Sequence, residues 1–229
     1  MNQFGEVFSN LNWSVVIDIL IAIIPALICI TFHELSHGFV AYRLGDDTAK
    51  SMGRLTLNPI KHIDKMGLLM MIAFRFGWAK PVPVNMWNFK NPKRGMAITA
   101  LAGPISNIVL SAFFLLFLGF FYRPLLNAGT FGLVIIEMME VTAYLSVALA
   151  IFNLLPIPPL DGSKVLFSVL PNETYFKLMR YEQYGMILLM AFIWLTRTIG
   201  SPLSGATVAV YRGIYNIAEW SFELYGKIM

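Results

Sequence analysis

The sequence predicts an all-α polytopic membrane protein, a bundle of about four to six transmembrane helices with a small membrane-associated β or re-entrant region. Three observations predict it. Of 229 residues, 57% are hydrophobic and only 13% charged, against roughly 25% charged in soluble domains. The apolar residues are gathered in long runs, at 13–44, 96–122, 131–155 and 184–199, and the first three are long enough to cross a hydrocarbon core of ~30 Å. The basic residues cluster between the runs, as cytoplasmic loops of membrane proteins do. The net charge of +4 therefore reads as topology and not as a nucleic-acid surface. With a single cysteine, Cys29, no intramolecular disulfide and no cysteine-based metal site is expected. The first dozen residues hold no Lys or Arg, and no small-residue cleavage site follows the first apolar run, so no cleaved secretory signal is expected.

The first core helix is placed at 13–44, with Pro25 kinking it mid-run. The segment 45–94 follows. With Arg43 it carries ten basic residues against Asp46, Asp47 and Asp64, which assigns it to the cytoplasm and the N-terminus to the outside. Within it, residues 66–76 are apolar but too short to span. Trp78 to Asn85 mixes β-branched residues with prolines that forbid an interior helix, and is expected to form short edge strands. The second core helix is placed at 95–122 and opens with small residues around Gly103 that allow close helix approach. The third, at 131–170, is interrupted by three prolines in the four residues 156–159, with a short helix expected after them. The C-terminal helices, 183–229, hold a short fourth span and an amphipathic stretch from Leu203 expected to lie flat or pack against the bundle. All of this reads as one membrane-embedded domain over 1–229.

Chemistry enters with His33-Glu34-Leu35-Ser36-His37. Residues i and i+4 share a helix face, so both imidazoles can bind one metal ion while Glu34 faces water beside it. Titratable groups inside a membrane are costly and persist mainly where they serve a site. The alternative is a polar patch satisfied by water or by Asp46 and Asp47. Imidazole plus carboxylate with one open position is the usual catalytic arrangement of zinc, which needs a third protein ligand. His62, Asp64, Glu137, Glu140 and Asp161 are the candidates. His62 and Asp64 lie in the basic loop, where a solvated role is expected, and Glu137 and Glu140 lie toward the opposite membrane face. Asp161 lies at the depth of the histidines. Alone it reads as an N-cap for a helix starting at Gly162; paired with the histidine motif it reads as a ligand. Glu34 would act as general base. Asn107 is either an oxyanion donor or an interhelical hydrogen bond. Cys29 reads as core packing.

These residues resemble the site-2 protease family of intramembrane zinc metalloproteases (peptidase M50-like). The resemblance rests on His33 to His37, on Ala102-Gly103-Pro104-Ile105-Ser106-Asn107, and on Asn153-Leu154-Leu155-Pro156 through Leu160-Asp161-Gly162, in that order. It implies that His33, His37 and Asp161 bind one zinc ion, that Glu34 is the base and that Asn107 assists. It also implies that Trp78 to Asn85 guides substrate. The chain is similar to the minimal form of the family, with room for neither a PDZ nor CBS domains. Where the family's aspartate motif is often Asn-Pro-x-x-Asp-Gly, this chain reads Pro158-Pro159-Leu160-Asp161-Gly162, without that asparagine. The expected function is zinc-dependent cleavage of transmembrane helices of anchored proteins in the plasma membrane, with the active site toward the cytoplasm. The expected partners are a transmembrane substrate and the bilayer, with no nucleic acid; a homo-oligomer is left open. A membrane protein that binds or transports a metal without proteolysis is the alternative, as is an inert scaffold, against which an intact Glu34 argues.

Overall fold

The computed structural model describes residues 13–74, 78–199 and 202–228. It is an all-α membrane protein. Among the described residues, eight helices of eight residues or more carry the fold: α1 (Trp13–Arg43), α2 (Lys65–Phe74), α3 (Pro92–Asn127), α4 (Thr130–Asn153), α5 (Asp161–Ser168), α6 (Asn172–Tyr181), α7 (Gly185–Ile199) and α8 (Pro202–Ile228). Among the described residues three, α1, α3 and α4, are long and apolar enough to cross a membrane. The expected fourth span, α7, has 15 residues. The C-terminal stretch is a 27-residue helix packed against α3 and α4, not lying apart from them.

α3 is the hub. It starts where Asn91 accepts a hydrogen bond from the Arg94 amide and Pro92 takes the first turn, a position where a missing N–H costs nothing. Two stripes at four-residue spacing divide its surface. Ile105, Val109, Phe113, Phe117 and Phe121 are exposed, all between 38% and 62%. Thr99, Gly103, Asn107, Ser111 and Leu115 are buried. This is inverted relative to a water-soluble helix: large apolar side chains face outward, to lipid, and small and polar ones face the neighbouring helices. Toward the far end, Leu115, Leu118, Ile136, Ala143 and Ala218 form the apolar core of α3, α4 and α8. There Gly119 lets α8 approach so closely that a Cβ would stand 2.1 Å from the Ala218 carbonyl.

The segment between α1 and α3 differs from expectation. Among the described residues it forms no strand, only an isolated antiparallel bridge between Ile63 and Ala79. The reason lies in the prolines: Pro81 and Pro83 donate no ladder hydrogen bond. Side chains hold the extended chain instead. Arg54 donates to the carbonyls of Lys80 (2.8 Å) and Pro81 (3.3 Å). Asp46, fully buried, accepts from the Asn85 amide (2.7 Å), from the Asn88 side chain (2.7 Å) and from the amide and hydroxyl of Thr48. His62 is buried at 1% exposure and hydrogen-bonds the Thr56 carbonyl, so it holds this loop together where a solvated role was expected. Asp64 caps α2 by accepting from the Gly67 amide.

Candidate metal centre

His33 and His37 lie one turn apart on α1, with their rings edge to face, 4.6 Å between centroids. His33 is ten residues before the last residue of α1, hence about 15 Å from that helix end at ~1.5 Å rise per residue. Asp161 reaches them because the proline-rich turn after Asn153 delivers it to the first turn of α5. Its Oδ2 lies 3.1 Å from Nε2 of His33 and 3.1 Å from Nε2 of His37. All three residues are buried, at 6%, 9% and 8% exposure. Asp161 does not cap its helix: Leu160 is the N-cap residue, and no side chain bonds there. A buried carboxylate in a first turn would ordinarily face the helix amides; this one faces the imidazoles.

Among the described residues, this is the group of three whose ligand atoms converge, within 4.8 Å of one another. The donor chemistry fits zinc. Bond lengths of 2.0–2.2 Å in a tetrahedron put ligand atoms ~3.3 Å apart, close to the 3.1 Å found. The outward ring nitrogens are tied down as ligand histidines require. Nδ1 of His37 lies 2.8 Å from the Thr99 carbonyl; it must donate to it, which leaves Nε2 with its lone pair. Nδ1 of His33 lies 3.2 Å from the Asn107 amide nitrogen. The Asn107 side chain is completely buried and its Oδ1 has no partner. Turning the amide over brings Oδ1 to Nδ1, where it accepts the imidazole N–H and frees Nε2 for a metal. Asn107 thus lies behind His33, away from the open face of the group.

Glu34 points elsewhere. Its Oε2 accepts a hydrogen bond from the Val82 amide at 2.8 Å, so the extended segment 78–85 lies directly against the would-be base. A cavity of about 220 Å³ adjoins His37 and Asp161, between Val82 and Val84 on one side and Lys164, Met179 and Glu182 on the other. The remaining sequence candidates are not brought in. Asp64 and His62 serve the loop, and Glu140 lies beside Tyr211 and Tyr215 of α8. Cys29 is buried, with Sγ 3.1 Å from the Ser146 hydroxyl and 3.4 Å from the Thr142 carbonyl. Sequence reasoning overlooked the Thr99 carbonyl, invisible because it is backbone. Gly103, expected only to allow close helix approach, stands where a Cβ would be 2.5 Å from atoms of both imidazoles.

Fold and site define a multi-span membrane protein with a buried two-histidine, one-aspartate group that could hold a metal ion, beside a glutamate. The model of "Peptidase family M50" matches residues 127–196, which include Asp161. The chain is 40% identical over 174 residues to "Putative zinc metalloprotease YwhC" of Bacillus subtilis, covering 73% of this chain and 77% of that one. It is 30% identical over 204 residues to "Putative zinc metalloprotease Rip2" of Mycolicibacterium smegmatis, covering 87% and 72%. It is 34% identical over 165 residues to "Putative zinc metalloprotease MJ0611" of Methanocaldococcus jannaschii, covering 70% and 75%. No solved structure matches. The chain belongs to peptidase family M50, the site-2 protease family, and is a metalloendopeptidase.

Proposed function

We propose that this protein is an intramembrane zinc endopeptidase that cleaves transmembrane helices of other membrane proteins, with its active site near the cytoplasmic side of the plasma membrane. The observation that carries the reading is the convergence of the His33, His37 and Asp161 ligand atoms in the interior of the helix bundle. Glu34 and an adjoining cavity complete the group. The cytoplasmic orientation is supported by the basic segment that caps the same end of the bundle. It gives water a short route to the site.

In this reading His33, His37 and Asp161 hold the ion. Zinc supplies Lewis acidity and lowers the pKa of bound water to about 7. Glu34 takes the proton of the attacking water and returns it to the leaving amide nitrogen. His37 is oriented by the Thr99 carbonyl and His33 by Asn107, so Asn107 is a positioning residue. The extended segment 78–85, pinned by Asp46 and Arg54, forms one wall of the cavity and holds Glu34 through the Val82 amide. A substrate helix must unwind locally to expose a carbonyl there, since helical carbonyls are already bonded.

The test is cleavage of a single-span membrane protein in detergent or liposomes by purified wild-type, Glu34→Gln and His33→Ala chains. Wild type is expected to cleave and to hold about one zinc. Glu34→Gln is expected to keep the zinc and lose cleavage, and His33→Ala to lose both. Full cleavage by Glu34→Gln would sink the mechanism. A metal carrier would need ligand groups at successive depths; among the described residues one group of three converges.

A further inference from the structure

Resting on the protease reading above, a question of charge remains. When water adds to a peptide carbonyl, the π pair moves onto oxygen. That oxyanion needs a fixed donor in a site from which water is largely excluded. Asn107 is not that donor: it is fully buried, and its side-chain amide is turned to Nδ1 of His33, on the far side of that ring from Nε2. The cavity beside His37 and Asp161 is where a peptide can enter. Half of its lining residues are apolar; the polar half includes the acidic Glu182, the hydroxyl residue Thr99 and, as the one lysine or arginine among the described lining residues, Lys164.

Lys164 is three residues after Asp161 on α5, hence on the same helix face. Its Nζ lies 4.0 Å from Oδ1 of Asp161, the oxygen not turned to the histidines, and 3.5 Å from Oε1 of Glu182. Both separations exceed good N–H···O geometry. The ammonium group, with three donors, is therefore held between two carboxylates without being consumed by either. The side chain is 23% exposed, partly withdrawn from water. The pair with Glu182, at the turn before α7, restrains it at the cavity wall.

We propose that Lys164 is a catalytic residue whose ammonium group donates a hydrogen bond to the oxygen of the scissile carbonyl as negative charge develops on it. The step balances without proton transfer from lysine. The water oxygen bonds to the carbonyl carbon, Glu34 takes the water proton and delivers it to the amide nitrogen, the C–N bond breaks, and the carbonyl reforms. The Lys164 proton stays on Nζ throughout.

The experiment compares wild type with Lys164→Gln and Lys164→Arg on one cleaved membrane substrate, with zinc content measured on each preparation. A second arm measures binding of a phosphinic peptide, an uncleavable tetrahedral anion, to the same substitutions in a Glu34→Gln background. Lys164→Gln is expected to keep about one zinc and an unchanged KM, to lower kcat about 100-fold, the scale of losing one oxyanion donor, and to weaken phosphinic-peptide binding by a similar factor. Lys164→Arg, which keeps the charge, is expected to recover at least tenfold of each. Unchanged kcat and phosphinic binding in Lys164→Gln would overturn the proposal. So would a loss of activity that follows loss of zinc, because Lys164 would then merely hold Asp161. A wild-type chain that cleaves no substrate refutes the protease reading itself, whereas equal cleavage by wild type and Lys164→Gln refutes only the role of the lysine.

Discussion

Substituting Gly103 by alanine adds one methyl group, directed at the metal-binding group. That Cβ would lie 2.5 Å from Cε1 of His33, 2.5 Å from Cε1 of His37 and 2.5 Å from Nε2 of His37. Ordinary contact begins at 3.4 Å, so each ring, or the helix behind it, must withdraw by about 0.9 Å. Metal ligands tolerate roughly ±0.2 Å. The rings cannot simply swing aside, because Nδ1 of each is bonded to α3 itself, at Thr99 and Asn107. Retreat of α1 from α3 instead would open the packing of two spans, at the ~1–3 kcal/mol typical of overpacking. Folding should survive such a loss while zinc binding should not. The measurement is zinc per chain by elemental analysis on protein that elutes as wild type does, together with the melting temperature. Expected are zinc well under one-tenth stoichiometric, no cleavage, and a modestly lowered melting temperature. Full zinc occupancy and activity in Gly103→Ala would refute the reasoning, since it would show that the imidazoles are not held where the geometry puts them.

Replacing Asn107 by leucine removes the partner of His33 Nδ1; zinc affinity is expected to fall by about 10- to 100-fold, the usual cost of losing a ligand's orienting group, and chelator competition would show it, an unchanged affinity refuting the positioning role. Asp46→Ala strips the buried acceptor from Asn85, Asn88 and Thr48; bonds to a charged group contribute about 1.5–3 kcal/mol each and are not additive, so a loss near 3 kcal/mol is expected by denaturant unfolding, with weakened substrate binding. Burial pushes the Asp46 carboxyl up, but the Thr48 side chain, the Asn85 amide and the Asn88 side chain outweigh it and hold the carboxyl below its ordinary value. Its folded pKa is depressed, so this stabilisation is complete above the unfolded value of about 3.9 and is lost as pH falls below it toward the folded value; the Asp46→Ala penalty should shrink in melts at decreasing pH. Removal of metal with a chelator should abolish cleavage and lower the melting temperature, and added zinc should restore both.

The three long helices were legible because lipid demands continuous apolar runs and internally satisfied backbones. His33, Glu34 and His37 were legible because helical periodicity converts four-residue spacing into a shared face. Asp161 was harder. Its position at a helix start suggested a cap as much as a ligand, and only its Oδ2, turned to both imidazoles, separates the two. The loop was misread for a definite reason. β-branched residues alternating with proline signal extended backbone, but not whether strands or side chains hold it. Here Asp46 and Arg54 do so, although the sequence marked them only as charges of a cytoplasmic segment and Asp46 as a possible partner of the histidines. His62 was likewise assigned to water, since nothing local announces that Thr56 and the loop will bury it. Asn107 was expected beside the histidines and lies against Nδ1 of His33; which side of that ring it takes depends on which face of α3 meets α1, and composition does not reveal that.

His33 and Asp161 meet across 128 positions of chain, and this sets an order of events during synthesis. A nascent chain that has inserted only α1 and α3 offers the two imidazoles and Glu34 but not Asp161. Its metal-binding group is complete only after α4 has crossed and the proline turn has brought α5 back. Because metal affinity and the folded arrangement are coupled, the proposed zinc would load only in the last stages of biogenesis, and on the proposed function the half-made protein would be inactive toward other newly inserted helices.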